Sequence, residues 1–310
     1  MAETTLNIGA IGSDAFLHGA LAHRQALMQR IENSAIDHLF IADHISFHTG
    51  MGMDGIVNAA TLAALSETTR IFIGVYLLAL RHPVPVARQL SSLSLSAPGR
   101  ITLGVGIGGE DRHEMEICGV NPARRGVQTN HCMRALRDLM SGASVSYDCE
   151  FFSYDDALIK PAPKPGIPMI VGGRSDAAIK RAAHLGEGWL GVWCSANRFG
   201  KVLAQIDDLA ATRETPQPTW QHGMQVWVGC GKDKADARAH VAKGMENMYR
   251  IPFEKFEAYT PYGSPAEVAE FLSGYVEQGA TLLNLAARGP SEEQCIDHIA
   301  EVAEILKASV

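Results

Sequence analysis

Residues 170–189, IVGGRSDAAIKRAAHLGEGW, carry the reading of the fold. An apolar run of strand length, begun at 168, ends at Gly172 and breaks into Gly172-Gly173-Arg174-Ser175. Residues 175–186 then return apolar side chains at helical spacing, and a second apolar run, GWLGVW, begins at 188. Strand, glycine turn, helix and strand in immediate succession make a unit that belongs to a parallel sheet. Ser175 is a natural N-cap and Asp176 suits a first helical turn. Backbone N–H groups at a helix start attract phosphate, glycine lets the chain approach it without a Cβ, and Arg174 adds a cation. Gly172, Gly173, Arg174 and Ser175 are therefore candidates for binding an anionic cofactor. The plainer reading of the same residues is a well-capped strand-to-helix turn.

Outward from this unit the pattern repeats. Strand-length apolar runs stand at 6–11, 38–43, 71–78, 101–107, 168–172, 188–193, 223–230 and 281–286. Helical periodicity fills 18–34, 54–68, 83–97, 126–141, 175–186, 196–213, 232–249, 264–279 and 291–308. Eight near-continuously apolar strands, each followed by a helix, predict a parallel sheet covered on both faces. With eight units, closure into a (β/α)₈ barrel is favoured over an open doubly wound sheet. No boundary, repeat array or low-complexity tract divides the chain, so 1–310 reads as one domain. Two insertions interrupt it. Residues 142–167, before strand five, are long enough for a small hairpin or flap. Residues 249–262, after helix seven, hold five of the chain's seventeen Phe and Tyr and read either as a barrel or dimer contact or as a substrate-facing lid.

Composition narrows the function. The chain is 46% apolar and 20% charged, as a well-buried globular protein is, and its net charge of −7 argues against nucleic acid or an anionic membrane as the main partner. Its longest apolar run, IFIGVYLLAL at 71–80, is about half a membrane span. With no leader signature at the start, the expected location is the cytoplasm. The six cysteines are scattered without a C-x-x-C pair, which predicts free thiols.

The candidate chemistry lies at strand ends. LGVGIGGED at 103–111 closes strand four, and Gly106, Gly108 and Gly109 can bring backbone amides close to a planar anionic cofactor. Gly104, Gly106 and Gly109 also satisfy G-x-G-x-x-G, but they close a fourth strand, and the next ten residues reach Asn121-Pro122 before any expected helix, so a Rossmann site does not fit. Glu110 is placed for general acid–base work, whereas Asp111 and Glu114 read as a solvated acidic loop. Asp43-His44 closes strand two, where His44 can donate a hydrogen bond or shuttle a proton. A metal would recruit His44, His48, His113 and nearby acids, but no third ligand stands at a diagnostic spacing.

Asp43-His44, RHPVPVARQLSSLS at 81–94, GR-ITLGVGIGGE at 99–110 and VGGRS…GEGWLG at 171–191, in this order, resemble the luciferase-like monooxygenase superfamily over roughly 5–305. The segment 263–285 is similar to that family's penultimate helix and last strand. The resemblance implies a flavin or deazaflavin ring across the barrel mouth, with coenzyme F420 favoured and FMN as the alternative. It implies a bulge in strand three with a non-prolyl cis peptide at Tyr76–Leu77, which places Tyr76 and Leu77 against the cofactor. Asp43 and His44 match the family's ring-side pair, Glu110 the acid some members use as proton donor, and Gly172–Ser175 the phosphate-and-ribityl turn. Here two glycines precede Glu110, where some deazaflavin members read glycine-acid directly after the strand. The activity implied is hydride transfer between F420 and a small organic substrate. The alternatives are a two-component FMN monooxygenase fed by a separate reductase, and a flavin-binding carrier without turnover; a metal hydrolase on the same fold is more remote. A homodimer is expected from the family alone.

Overall fold

The computed structural model describes residues 5–48, 50–109 and 111–309. Eight parallel strands form a closed barrel: β1 (Asn7–Ile11), β2 (His38–Ile41), β3 (Arg70–Leu77), β4 (Ile101–Gly106), β5 (Met169–Gly172), β6 (Gly188–Val192), β7 (Gly223–Gly229) and β8 (Leu282–Arg288). Each strand pairs with the next in sequence, and β8 pairs with β1. The helices between them are α1 (Leu21–Glu32), α2 (Gly55–Leu65), α3 (Pro83–Ser96), α4 (Arg125–Leu139), α5 (Asp176–Leu185), α6 (Ala196–Ala210), α7 (Lys234–Tyr249), α8 (Pro265–Glu277) and α9 (Glu292–Lys307). The strands are buried almost end to end, as the β5 and β8 patterns show, because each is covered on both faces.

The chain packs into two compact units: residues up to Phe40 with 190–208 and those from Trp220 on, and residues 41–189 with 209–219. Three of the four boundaries fall inside β2, β6 and α6, and the fourth in the irregular stretch before β7. In the first unit, buried His38 meets buried Asn284 at 2.7 Å. Gly9 of β1 lies against that ring, so close that a Cβ there would stand 2.1 Å from His38 Nε2. In the second unit, the insertion before β5 holds an antiparallel hairpin, Ser144–Asp148 with Ser153–Leu158. The rings of Tyr147, Phe152 and Tyr154 stack along it, beside His82 at the start of α3, and Tyr147 Oη meets His131 of α4 at 3.0 Å.

Two local elements differ from the sequence reading. The stretch between the strand at 38–43 and the helix at 54–68, assigned to no element from the sequence, is a short hairpin of His44–Phe47 with Met51–Met53. The stretch after strand four, read as non-helical up to Asn121-Pro122, contains the helix Arg112–Ile117, whose N-cap Asp111 accepts from His113 N at 2.9 Å. Neither is long enough to show a period in the sequence. All six cysteines are free, and no helix among the described residues is long and apolar enough to cross a membrane.

Candidate active site

Asp43 follows β2 and is buried, with every lone pair in use. Its Oδ1 accepts from Gly55 N (2.9 Å) and Arg81 Nη2 (2.8 Å), and its Oδ2 accepts from Leu77 N (3.0 Å) and Arg81 Nη1 (2.6 Å). One carboxylate thus satisfies the first N–H of α2, pins the end of β3 and holds a guanidinium in a two-pronged pair. Arg81 also reaches Asp54 at 3.2 Å and lies over the Tyr76 ring, 4.3 Å from its centroid. Asp43 is a positioning group in this arrangement.

His44 opens the short hairpin, and its Nδ1 faces the Glu114 carboxylate at 3.1 and 3.3 Å. Glu114 is not the solvated acid the sequence suggested. It is 1% exposed, and its Oε1 also accepts from Ile45 N (2.6 Å) and Ser46 N (3.1 Å). The short helix that carries Glu114 turns it inward, toward backbone donors that only the hairpin supplies. With Nδ1 engaged as donor to Glu114, Nε2 is the ring nitrogen left to a ligand. Asp111 is likewise not a free acid: it accepts from His48 N at 2.7 Å, and that bond first, then the helix-start N–H groups, hold its carboxyl below the usual range. Among the described residues, no group of three or more His, Cys, Asp or Glu gathers as metal ligands would.

Strand β3 carries the expected bulge: Ile73 pairs with Leu103 and Tyr76 with Val105, so three steps on β3 face two on β4. The cis peptide is at Gly74–Val75, however, and not at Tyr76–Leu77. The bulge begins two residues earlier than the apolar run reveals, because the extra residue sits inside IFIGVYLL without interrupting it. Tyr76 and Leu77 are both buried, Tyr76 fully; its hydroxyl has no hydrogen-bond partner, and burial raises its pKa. Val75 is the partly exposed side chain of the bulge. Two glycines make room for it: a Cβ on Gly106 would stand 2.4 Å from Val75 Cγ2, and one on Gly172 would stand 2.9 Å from Val75 Cγ1.

Past β4, Gly108 and Gly109 adopt φ of +63° and +149°, which side chains rarely tolerate. Glu110 lies outside the described residues. At the end of β5, Gly173 has φ +123°, and its carbonyl accepts from Trp189 Nε1 at 2.7 Å. Arg174 and Ser175 are exposed, and Ser175 Oγ caps α5 through Ala178 N at 3.3 Å. The candidates Asp43, His44, Tyr76, Leu77, Gly106, Gly108, Gly109 and Gly172–Ser175 all belong to the second compact unit. Sequence reasoning missed Arg81, Val75 and Glu114. Arg81 alone left a signal, as the first residue of the RHPVPV stretch.

In the first unit, strand ends carry an aromatic wall. Trp193, just past β6, packs on Tyr249 (5.0 Å between centroids) and Phe256 (4.8 Å). Trp227 of β7 donates to Tyr249 Oη at 3.2 Å, and Arg288 lies 4.4 Å over its ring. Phe253 and Phe256 of the 249–262 insertion are buried, and Glu257 pins it by accepting from Arg238 and from Tyr262.

Comparison with known proteins agrees with this architecture. The family model described as luciferase-like monooxygenase matches residues 7–307. The chain belongs to the luciferase-like monooxygenase family. An uncharacterized protein of Mycobacterium tuberculosis is 31% identical over 157 residues, which are 51% of this chain and 54% of that protein, so the chain spans about half the length of this relative. The F420-dependent glucose-6-phosphate dehydrogenase of Kineococcus radiotolerans is 24% identical across 89% of this chain and 90% of its own. Among solved structures, an F420-dependent secondary alcohol dehydrogenase bound to an F420-acetone adduct superposes with a TM-score of 0.84 at 17% identity, covering 97% of this chain and 99% of that one. That likeness is one of fold.

Proposed function

We propose that this family member is an oxidoreductase that moves hydride between coenzyme F420 and a small organic substrate. The observation that carries the reading is His44, held through Nδ1 on buried Glu114, which leaves Nε2 as the free ring nitrogen beside a strand-end bulge. The name of the Kineococcus relative, matched over most of both chains, supports the choice of cofactor.

The residues present fit such a cofactor. The Gly106 and Gly172 backbones bracket Val75, so its partly exposed face offers a flat ring an apolar backing. Gly108 and Gly109 keep the neighbouring turn free of Cβ atoms, and the N–H groups opening α5, with Arg174, suit the phosphate end. Asp176 in that first turn is a negative charge that the phosphate must sit beside. When bound, F420 supplies a carbon at position 5 that accepts or gives hydride and is slow to react with oxygen.

The chain's own groups handle the proton. As a substrate C–H leaves as hydride, the hydroxyl proton passes to His44 Nε2, and Glu114 stabilises the resulting imidazolium; the reverse reaction returns that proton to the carbonyl oxygen. Glu110 is a second proton donor in this reading. Asp43 and Arg81 act indirectly, by fixing the end of β3 and the start of α2. The reduced cofactor comes from a separate reductase, and the assembly is a homodimer, which size-exclusion chromatography with light scattering tests.

The deciding experiment titrates the protein with F420 and with FMN, then mixes reduced F420 with quinones, enones and nitroaromatics. Saturable F420 binding with acceptor-dependent oxidation is expected. Tight FMN binding with no F420 binding overturns the proposal in favour of a monooxygenase, and binding of neither overturns the roles given to His44 and Glu110. Arg174→Ala should weaken cofactor affinity while leaving the melting temperature nearly unchanged; an unchanged affinity makes Arg174 a surface cation only.

A further inference from the structure

In the first compact unit, two thiols meet. Cys230 directly follows β7, Cys295 lies in the first turns of α9, and their Sγ atoms are 3.6 Å apart although 65 residues separate them. Both are buried. Gly289 makes room for the pair: a Cβ there would stand 2.1 Å from Cys230 Sγ and 3.2 Å from Cys295 Sγ, so no other residue fits without displacing a sulfur. A cavity of about 390 Å³, lined by Cys230, Gly231, Lys232, Gln294 and His298 among others, reaches Cys230. His298 Nε2 is buried there with no hydrogen-bond partner.

We propose that Cys230 and Cys295 are a hydroperoxide-oxidisable dithiol, with Cys230 attacking and Cys295 resolving. A hydrogen bond from Cys295 holds the Cys230 thiol below its ordinary range; the same bond first, then burial, push Cys295 up. The Cys230 thiolate attacks hydrogen peroxide. An S–O bond forms, the O–O bond breaks, and hydroxide departs and takes up a proton as water. Cys295 sulfur then attacks the Cys230 sulfenic sulfur. The S–S bond forms, and the hydroxyl leaves as a second water with the Cys295 proton. Two thiols give up two electrons and two protons, and one peroxide becomes two waters.

Closure shortens the sulfur separation from 3.6 Å to about 2.05 Å, a change of roughly 1.5 Å between the two sulfurs. Cys230 N donates to Arg288 O at 2.9 Å, Gly229 N donates to Pro261 O at 3.0 Å, and Gly263 N donates to Gly229 O at 3.3 Å. The attacking cysteine is thus tied by its backbone to the end of β8, and Gly229 before it to the end of the 249–262 insertion.

The test treats the full chain with hydrogen peroxide and reads denatured thiol count, intact mass and non-reducing peptide maps. Expected are the loss of two of six free thiols, a mass lower by two hydrogens, a linked Cys230–Cys295 peptide, and reversal by dithiothreitol. Cys295→Ser should stop at a dimedone-reactive sulfenic acid on Cys230, and Cys230→Ser should leave Cys295 reduced. Oxidation of the more exposed Cys118 or Cys149 without a linked 230–295 peptide overturns the proposal, as does a fully reduced pair in the folded wild-type protein. The wild-type arm decides the question even where a variant fails to fold.

Discussion

Two buried carboxylates, Glu114 beside His44 and Asp43 at the end of β3, make separable predictions. Glu114→Gln keeps an oxygen for the Ile45 and Ser46 N–H groups but replaces the charge that faces Nδ1. An amide there can hold the wrong imidazole tautomer and does not stabilise imidazolium. Turnover should fall by roughly ten-fold or more, within the range of a positioned acid–base group, while KM changes little. Steady-state kinetics on an active substrate check this, and a rise confined to KM counts against the His44 role. Asp43→Ala strands Arg81 and two buried N–H donors, so it should cost about 3–5 kcal/mol in chemical denaturation, the range for breaking a buried ion pair. A cost below about 1 kcal/mol would remove Asp43 as the pin of β3 and α2.

At the scale of elements, the β3 bulge is a packing solution shared by three strands. Gly106→Ala pushes a Cβ into Val75 at the mouth end of the barrel and should cost about 1–3 kcal/mol by overpacking. Val75→Ala removes the methyl groups in the way, so the double variant should recover part of that loss, with a coupling of about 0.5–3 kcal/mol in a double-mutant cycle. Additive costs would mean that Gly106 is needed for some other reason. The same bulge shows where the sequence stops being readable. All eight barrel strands stand out because a strand buried on both faces is a continuous apolar run, and IFIGVYLL is such a run with or without an extra residue in it. The position of the cis peptide was therefore invisible, and the family resemblance placed it two residues late. The burial of Glu114 was equally hidden: RHEMEI is polar in sequence, and only the hairpin at 44–53 gives its carboxylate partners. The α5 start was legible because capping is local. Ser175→Ala should lose about 0.5–2 kcal/mol, and thermal melts check this.

For the molecule as a whole, acid stability follows from imidazoles folded away neutral. His222, at the entry to β7, is 6% exposed and stacks on Trp220; burial lowers its pKa from the ordinary 6.5 to about 4. Burial also lowers the pKa of His298. A depressed pKa means that the unfolded chain binds the proton first. The stabilisation is complete above about pH 6.5 and is lost as pH falls toward about 4. For His222 that loss amounts to roughly 3 kcal/mol at most. Glu292 works the other way: burial raises its carboxyl, so its contribution is present below the unfolded carboxyl range and fades as pH rises, which softens the lower end of the same window. Urea midpoints should therefore change little above about pH 7 and drop between about pH 6.5 and pH 5. His222→Gln, which cannot charge, should flatten that drop while lowering stability at neutral pH through lost packing on Trp220. If the variant and the wild type lose the same stability between those two pH values, His222 is not the group that titrates.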